Sequence, residues 1–370
     1  MTNVLHIMDK LTVGGSNIHG VTRALSWWLP RMDPSEFSFS VCSLRGTENA
    51  ARFFEEEGIG VRFLDRGKFD PLTLRDLMSL LRDINVDILH LHGYGATNFG
   101  RVAGMLAGIP RIVHEHTVIE DQPAYQTIAD YVLSPLTTRA IAISPTVRDF
   151  MVERRKIEPE KIDCFFYGIP LEDFTPSEPS VIERKRQNLG IHSEQPVVCC
   201  VGRLDTQKGQ RYLISAAEKV TDEFSKVAFL MVGDGPDLKD LKHQRRKLGL
   251  EEAVVFTGHR DDVPDLLAMS DVVALPSLWE GGPITLFEAM NVGRPVVGTP
   301  VGLMPDVIEE GHTGYLVPPQ EVDPLASRLI SLLRNPDRAN QMGTLAQKKV
   351  QDYSMSNAVE RLSEVYREVA

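Results

Sequence analysis

The sequence predicts an α/β protein of two doubly wound domains with parallel sheets. Three observations predict it: short apolar strands alternate with amphipathic helices, the alternation restarts midway, and 370 residues exceed one ordinary core. The first series opens with Asn3–Met8 and continues through Phe37–Leu44, Val61–Leu64, Ile88–His92, Arg111–Glu115, Ala140–Ser144 and Ile162–Phe166. Helices are expected over Val21–Pro30, Ala50–Glu57, Leu72–Ile84 and Ala96–Ala107, the last closed by Gly108. The second series runs Val197–Val201, Ala228–Val232, Ala253–Thr257, Val272–Pro276 and Pro295–Gly298. Pro and Glu crowd residues 170–180, which puts the linker there. The predicted domains are therefore 1–173 and 174–352, with a final helix in 353–370 packing back on the first.

Composition narrows the function. Charged residues make up 25% and hydrophobic ones 42%, as in soluble globular chains. A net charge of −11, concentrated in the second half, excludes a general nucleic-acid binder. Four cysteines, two of them adjacent at Cys199-Cys200, form no metal or disulfide pattern, so a reducing compartment is expected. The sequence has no apolar run near the roughly 18 residues that span a bilayer, and no signal peptide precedes the first strand. A cytoplasmic protein is expected, with the inner membrane face as a peripheral location. Arg154-Arg-Lys156 beside Phe150-Met-Val152 reads first as a solvated helix end and second as a patch for membrane contact.

The most informative segment is Glu280-Gly-Gly-Pro-Ile-Thr-Leu-Phe-Glu288. The apolar run Asp271–Ser277 delivers it to a sheet edge, and Pro283 suits the first turn of a helix. Backbone N–H groups near Gly282 to Thr285 are then placed to meet an anion or hydroxyl. Two helical turns separate the carboxylates, which suits different parts of one elongated ligand such as a nucleotide sugar. Arg203 and Lys208 sit on another strand-to-helix turn, where fixed cations can stabilise a diphosphate without a metal.

The ordered motifs Gly202-Arg-Leu with Lys208-Gly209, Val232-Gly-Asp-Gly-Pro236, Phe256-Thr-Gly258, Glu280–Glu288, Gly293-Arg-Pro-Val-Val297 and Gly314-Tyr-Leu-Val317 resemble retaining glycosyltransferase family 4, the glycosyl transferases group 1. The first half adds Gly14-Gly15, Asp87-Ile-Leu-His-Leu-His92, Ile141-Ala-Ile-Ser144 and Phe166-Tyr-Gly-Ile169, so the resemblance spans the chain. Tyr167 departs from the Asn common in the family, and Gly282-Pro283 is a variant of an apolar residue followed by Gly.

The resemblance implies the GT-B fold, with two Rossmann-like domains facing across a cleft. It implies catalytic roles for His116, Arg203, Lys208 and Glu280. Arg203 and Lys208 match the diphosphate pair, Glu280 and His116 the contacts of the transferred sugar, and Glu288 the ribose contact. Gly15, Gly258, His259, Arg260, Gly281, Gly282, Pro283, Ile284 and Thr285 match donor-binding positions. The implied partners are a UDP- or GDP-linked sugar and a glycan, lipid-linked or small-molecule acceptor. No metal or other cofactor is implied, and the implied mechanism is a front-face substitution with retention.

The histidines keep a second reading open. His90 with His92, and His114 with His116, alternate on two strands and could gather a metal, although no Asp or Cys completes the set. A nucleotide-sugar epimerase and a non-catalytic nucleotide-sugar-binding protein also stay open. A dinucleotide dehydrogenase is disfavoured, because Gly14-Gly15-Ser-Asn lacks G-x-G-x-x-G spacing.

Overall fold

The computed structural model describes residues 1–12, 20–46, 49–119, 123–166 and 168–370. Gly14, Gly15, His19 and Tyr167 lie outside the described residues. The chain forms two units, Met1–Gly168 with Met355–Ala370, and Ile169–Ser354. The predicted boundaries were 173/174 and 352/353. The two chain segments at the divide run side by side, with Ile169 N donating to Tyr353 O at 2.9 Å and a parallel bridge to Ser354.

In the first unit, β1 (Thr2–Met8), β2 (Phe37–Ser43), β3 (Gly60–Phe63), β4 (Ile88–His92), β5 (Arg111–Glu115), β6 (Arg139–Ala142) and β7 (Ile162–Cys164) form one sheet. Its order is β3-β2-β1-β4-β5-β6-β7, and every ladder is parallel. Such strands are covered on both faces, which explains their continuous apolar character: Leu5, Ile7, Ile88, Leu89, Leu91 and Ile112 are all fully buried. The order reverses between β1 and β4, so the loops after these strands splay apart and leave a crevice.

In the second unit, β8 (Val197–Val201), β9 (Ala228–Val232), β10 (Val254–Gly258), β11 (Val272–Leu275), β12 (Val296–Gly298) and β13 (Gly314–Leu316) order as β10-β9-β8-β11-β12-β13. The switch point lies between β8 and β11. Val198, Phe229, Met231, Leu213, Ala217 and Leu329 anchor the core between sheet and helices. The β13 strand was not legible in the sequence, because three residues beginning with Gly carry no periodicity.

Two further helices, Ala124–Leu133 and Pro145–Glu153, were not assigned from sequence. The first is inverted: it buries Gln126 and Asp130 while Tyr125, Ile128, Tyr131 and Val132 face outward. The helix Met355–Val369 packs in the first unit, where Tyr366 is fully buried and Arg367 forks onto Glu36 at 2.8 and 3.0 Å. No described helix is long and apolar enough to cross a membrane.

Candidate functional site

In the second unit the predicted residues converge on the switch point. After β8 the chain turns through Arg203 into a short 3-10 turn, Thr206–Lys208, capped by the Asp205 side chain. Gly209 follows with φ 66°, and a Cβ there would stand 2.0 Å from the Pro276 carbonyl oxygen. Only glycine allows both that conformation and that approach. Gly209→Ala should therefore destabilise this domain by at least about 2 kcal/mol, read as a lowered unfolding midpoint.

That close approach joins the two loops. Leu278 N donates to Gln207 O at 2.7 Å, and Gln207 Nε2 donates to the Trp279 carbonyl at 3.0 Å. Across the seam the Lys208 ammonium binds Glu280 Oε1, which also accepts from Ser277 Oγ at 2.9 Å. The carboxylate is almost wholly buried, at 6% exposure. Residues assigned from sequence to different parts of a ligand are thus partners of each other. They line a pocket of about 10 Å³, shared with Cys200, Pro276, Pro283 and Thr285, which is water-sized.

Helix Ile284–Asn291 begins directly after Pro283, so the first N–H groups of the helix point back over this pocket. Glu288, about one turn along, is buried. Gly302, at φ 57°, packs beneath the loop, where a Cβ would meet the carbonyl oxygens of Gly281 and Glu280 at 2.4 and 2.6 Å. Arg203 is partly exposed, its Nε 3.5 Å from Asp205.

The turn after β10 is arranged differently from the others. Gly258 is left-handed at φ 73°, and His259 is largely exposed, 3.4 Å from Asp261. Arg260 forks onto Asp262 at 2.7 Å through both Nε and Nη2, and Lys185 joins the same carboxylate at 2.6 Å. The Arg260 hydrogen bonds hold the Asp262 carboxyl down at about 2. Asp262 thereby ties the helix Pro179–Asn188 to the turn after β10.

The first unit carries its own cavity, about 620 Å³, at the ends of β1, β4 and β5. Lys10, Arg45, Lys68, Tyr94, His116 and Ile119 are among its lining residues. Asp9 is engaged with the helix that starts at Tyr94, accepting from Gly95 N at 3.0 Å and Ala96 N at 2.8 Å. Arg155 bonds Glu115 at 2.8 Å and Asp130 at 2.9 Å, which splits the basic run read first as a solvated helix end: Arg154 and Lys156 are exposed, but Arg155 is interior.

Behind the cavity, sequence reasoning missed two members of a longer assembly. His116 Nε2 meets His92 Nδ1 at 3.0 Å, and His92 Nε2 meets His6 Nδ1 at 3.0 Å. His6 Nε2 reaches the Tyr366 hydroxyl at 3.3 Å, which lies 2.7 Å from His90 Nδ1, and His90 Nε2 ends on His114 Nδ1 at 3.1 Å. The period-2 placement of His90, His92 and His114 was visible in sequence, but nothing local signalled His6 or the remote Tyr366. Burial pushes His6 down to about 3 and holds His90 and His114 well below the ordinary imidazole value.

Ring nitrogens of His6, His90 and His92, and of His92, His114 and His116, fall within 4.8 Å of one another. The rings of His6 and His92 lie at 12°, and those of His114 and His116 at 19°. Parallel ring planes let an N–H of one ring aim at the in-plane lone pair of the next, as in the His6–His92 contact at 3.0 Å. Hydrogen bonding between neutral imidazoles accounts for the close nitrogen pairs.

Two parallel doubly wound domains, each with polar groups gathered at its switch point, define the two-domain Rossmann-like GT-B class. Anabaena HepE, solved in complex with UDP, superposes with a TM-score of 0.86 over 100% of both chains at 22% identity. The sucrose-phosphate synthase of Thermosynechococcus elongatus gives 0.80 at 16%, covering 100% of this chain and 99% of that one. Residues 22–173 match the glycosyltransferase family 4 model and residues 181–349 the glycosyl transferases group 1 model. The chain belongs to this group 1, family 4 of glycosyltransferases. Among its relatives, the Escherichia coli UDP-Gal:alpha-D-GlcNAc-diphosphoundecaprenol alpha-1,3-galactosyltransferase is 27% identical, over 80% of this chain and 79% of the relative. The alpha-maltose-1-phosphate synthase of Mycolicibacterium smegmatis is also 27% identical, over 76% and 79%.

Proposed function

We propose that this chain transfers a sugar with retention from a UDP- or GDP-linked donor to a glycan, lipid-linked or small-molecule acceptor, without a metal. The observation that carries the reading is the Lys208–Glu280–Ser277 cluster at the second switch point. An ammonium has three donors, so Lys208 can keep Glu280 and still meet a phosphate oxygen. Together with Arg203 it offsets the charge that grows on the departing diphosphate. Glu288 and the amides at Ile284 and Thr285 complete the donor contacts, and His116 is assigned to the transferred sugar.

Lys208 and Ser277 both hold Glu280 Oε1, which suits a positioning group. That supports a front-face course over a covalent glycosyl–carboxylate intermediate. The leaving phosphate oxygen accepts the acceptor's proton while the carbon–oxygen bond to the acceptor forms on the same face.

UDP is the first nucleotide to test, since it occurs in the E. coli relative's name and in the Anabaena complex. Expected results are a raised melting temperature with UDP and release of UDP from UDP-sugars in excess chelator. NMR of the product should show the donor's anomeric configuration. Inversion, or activity lost to chelator and restored by zinc, overturns the reading. Conversion of the donor sugar without an acceptor would mark an epimerase.

A further inference from the structure

We propose that the acceptor is a membrane-borne lipid whose head carries phosphate, held with its head in the first domain's cavity and its chain on the inverted helix. This rests on the glycosyltransferase reading and names the acceptor class within it.

The helix Ala124–Leu133 carries the argument. Its inward side holds Gln126 and Asp130, with Asp130 3.5 Å from Arg101 and 2.9 Å from Arg155. Its outward side holds Tyr125, Ile128, Tyr131 and Val132, the last three 65%, 73% and 62% exposed. These positions recur at helical spacing, so they form one stripe. A helix dissolved in water is arranged the other way round. Apolar residues turned outward together mark a contact surface, and scattered single ones do not.

The stripe continues onto a second segment. Phe69, 66% exposed, meets Tyr125 edge to face at 5.6 Å, and Leu72 is exposed three residues on. Two aromatic side chains with outward aliphatic neighbours suit the boundary between headgroups and acyl chains.

Charge decides what covers the patch. Lys68 lies next to Phe69, its ammonium 5.4 Å from the Phe69 ring, and it also lines the cavity with Lys10 and Arg45. Arg45 Nη1 bonds only backbone carbonyls in the described contacts, those of Arg66 and Gly67 at 2.9 and 2.8 Å. The cavity carboxylates are committed elsewhere: Asp9 to the amides of Gly95 and Ala96, Glu115 to Arg155. A cationic cavity opening onto an apolar stripe through Lys68-Phe69 matches a phosphate joined to a long hydrocarbon. A free sugar phosphate would use the cavity but leave the stripe unexplained.

The test floats the full chain with phosphatidylcholine vesicles, plain or doped with a polyprenyl diphosphate. Doping should increase the floated fraction several-fold. Ile128→Asp with Tyr131→Asp should lower it about tenfold on doped vesicles with an unchanged melting temperature. Lys10→Ala and Lys68→Ala should each reduce the preference for doped vesicles about fivefold. Equal flotation of the Asp double variant overturns the inference, as does capture by inorganic pyrophosphate without capture by vesicles. Light scattering that shows a dimer lost in the double variant, with flotation unaltered, assigns the stripe to a second copy and also overturns it. Stabilisation by UDP, measured in parallel, separates these failures from failure of the glycosyltransferase reading.

Discussion

Unfolding of the first domain should move steeply to lower temperature as pH falls below about 6.5, the ordinary imidazole value. His6, His90 and His114 are held neutral by burial in the native sheet. The unfolded chain protonates each of them below that pH, and the native state does not. Their folded-state values are depressed, so their contribution to stability is complete above about 6.5 and lost as pH falls toward about 3. Each uncompensated proton removes about 1.4 kcal/mol per pH unit, and three remove about 4 kcal/mol per unit. Glu115, raised by burial, offsets part of this only near the carboxylate range. Against a domain stability of about 5–15 kcal/mol, two pH units are decisive. Trp28, buried and stacked on His114 at 5.5 Å, supplies the fluorescence readout, with Trp279→Phe removing the other domain's signal. The midpoint should drop by more than about 10 °C between pH 7 and pH 5. An unchanged midpoint would exclude buried neutral histidines.

Lys208→Ala should lower kcat about 10²- to 10³-fold, the usual range for removing one fixed group that stabilises developing negative charge. The substitution also leaves Glu280, at 6% exposure, with the Ser277 hydroxyl as its remaining side-chain donor among the described residues. Two effects then act together: less stabilisation of the leaving diphosphate and a carboxylate free to move. Lys208→Arg separates them, since it restores charge but not the compact ammonium. Partial recovery in the Arg variant is expected in kcat more than in KM. Turnover of the Ala variant equal to the parent would refute the role assigned to Lys208.

The strand pattern was legible where parallel strands buried on both faces are written as apolar runs, as in β1 and β4, while the edge strands β3 and β7 are only partly buried. The β13 strand was not, since Gly314-Tyr-Leu316 takes its place through neighbours distant in sequence. Lys208 and Glu280 could each be picked out from a strand-to-helix turn, yet their ion pair depends on the Gly209–Pro276 approach, which no local pattern encodes. Helix Ala124–Leu133 escaped assignment for the opposite reason. Its amphipathic pattern is inverted, because Asp130 answers two buried arginines. The histidine assembly was half visible, with its alternating members on two strands and its hinge, Tyr366, near the far end of the chain.

That assembly has a direction. A neutral imidazole owns one N–H, so a ring that donates on one side must accept on the other. If His6 donates to Tyr366, then Tyr366 donates to His90 and His90 to His114; if Tyr366 donates to His6, every sense reverses. When the one hydroxyl proton is used within the row, on either His90 or His6, the row has two orderings. A hydroxyl on the last helix of the chain sits in the middle of a single polarity that begins at the cavity, and replacing it with a hydrogen would leave two shorter rows that no longer share one.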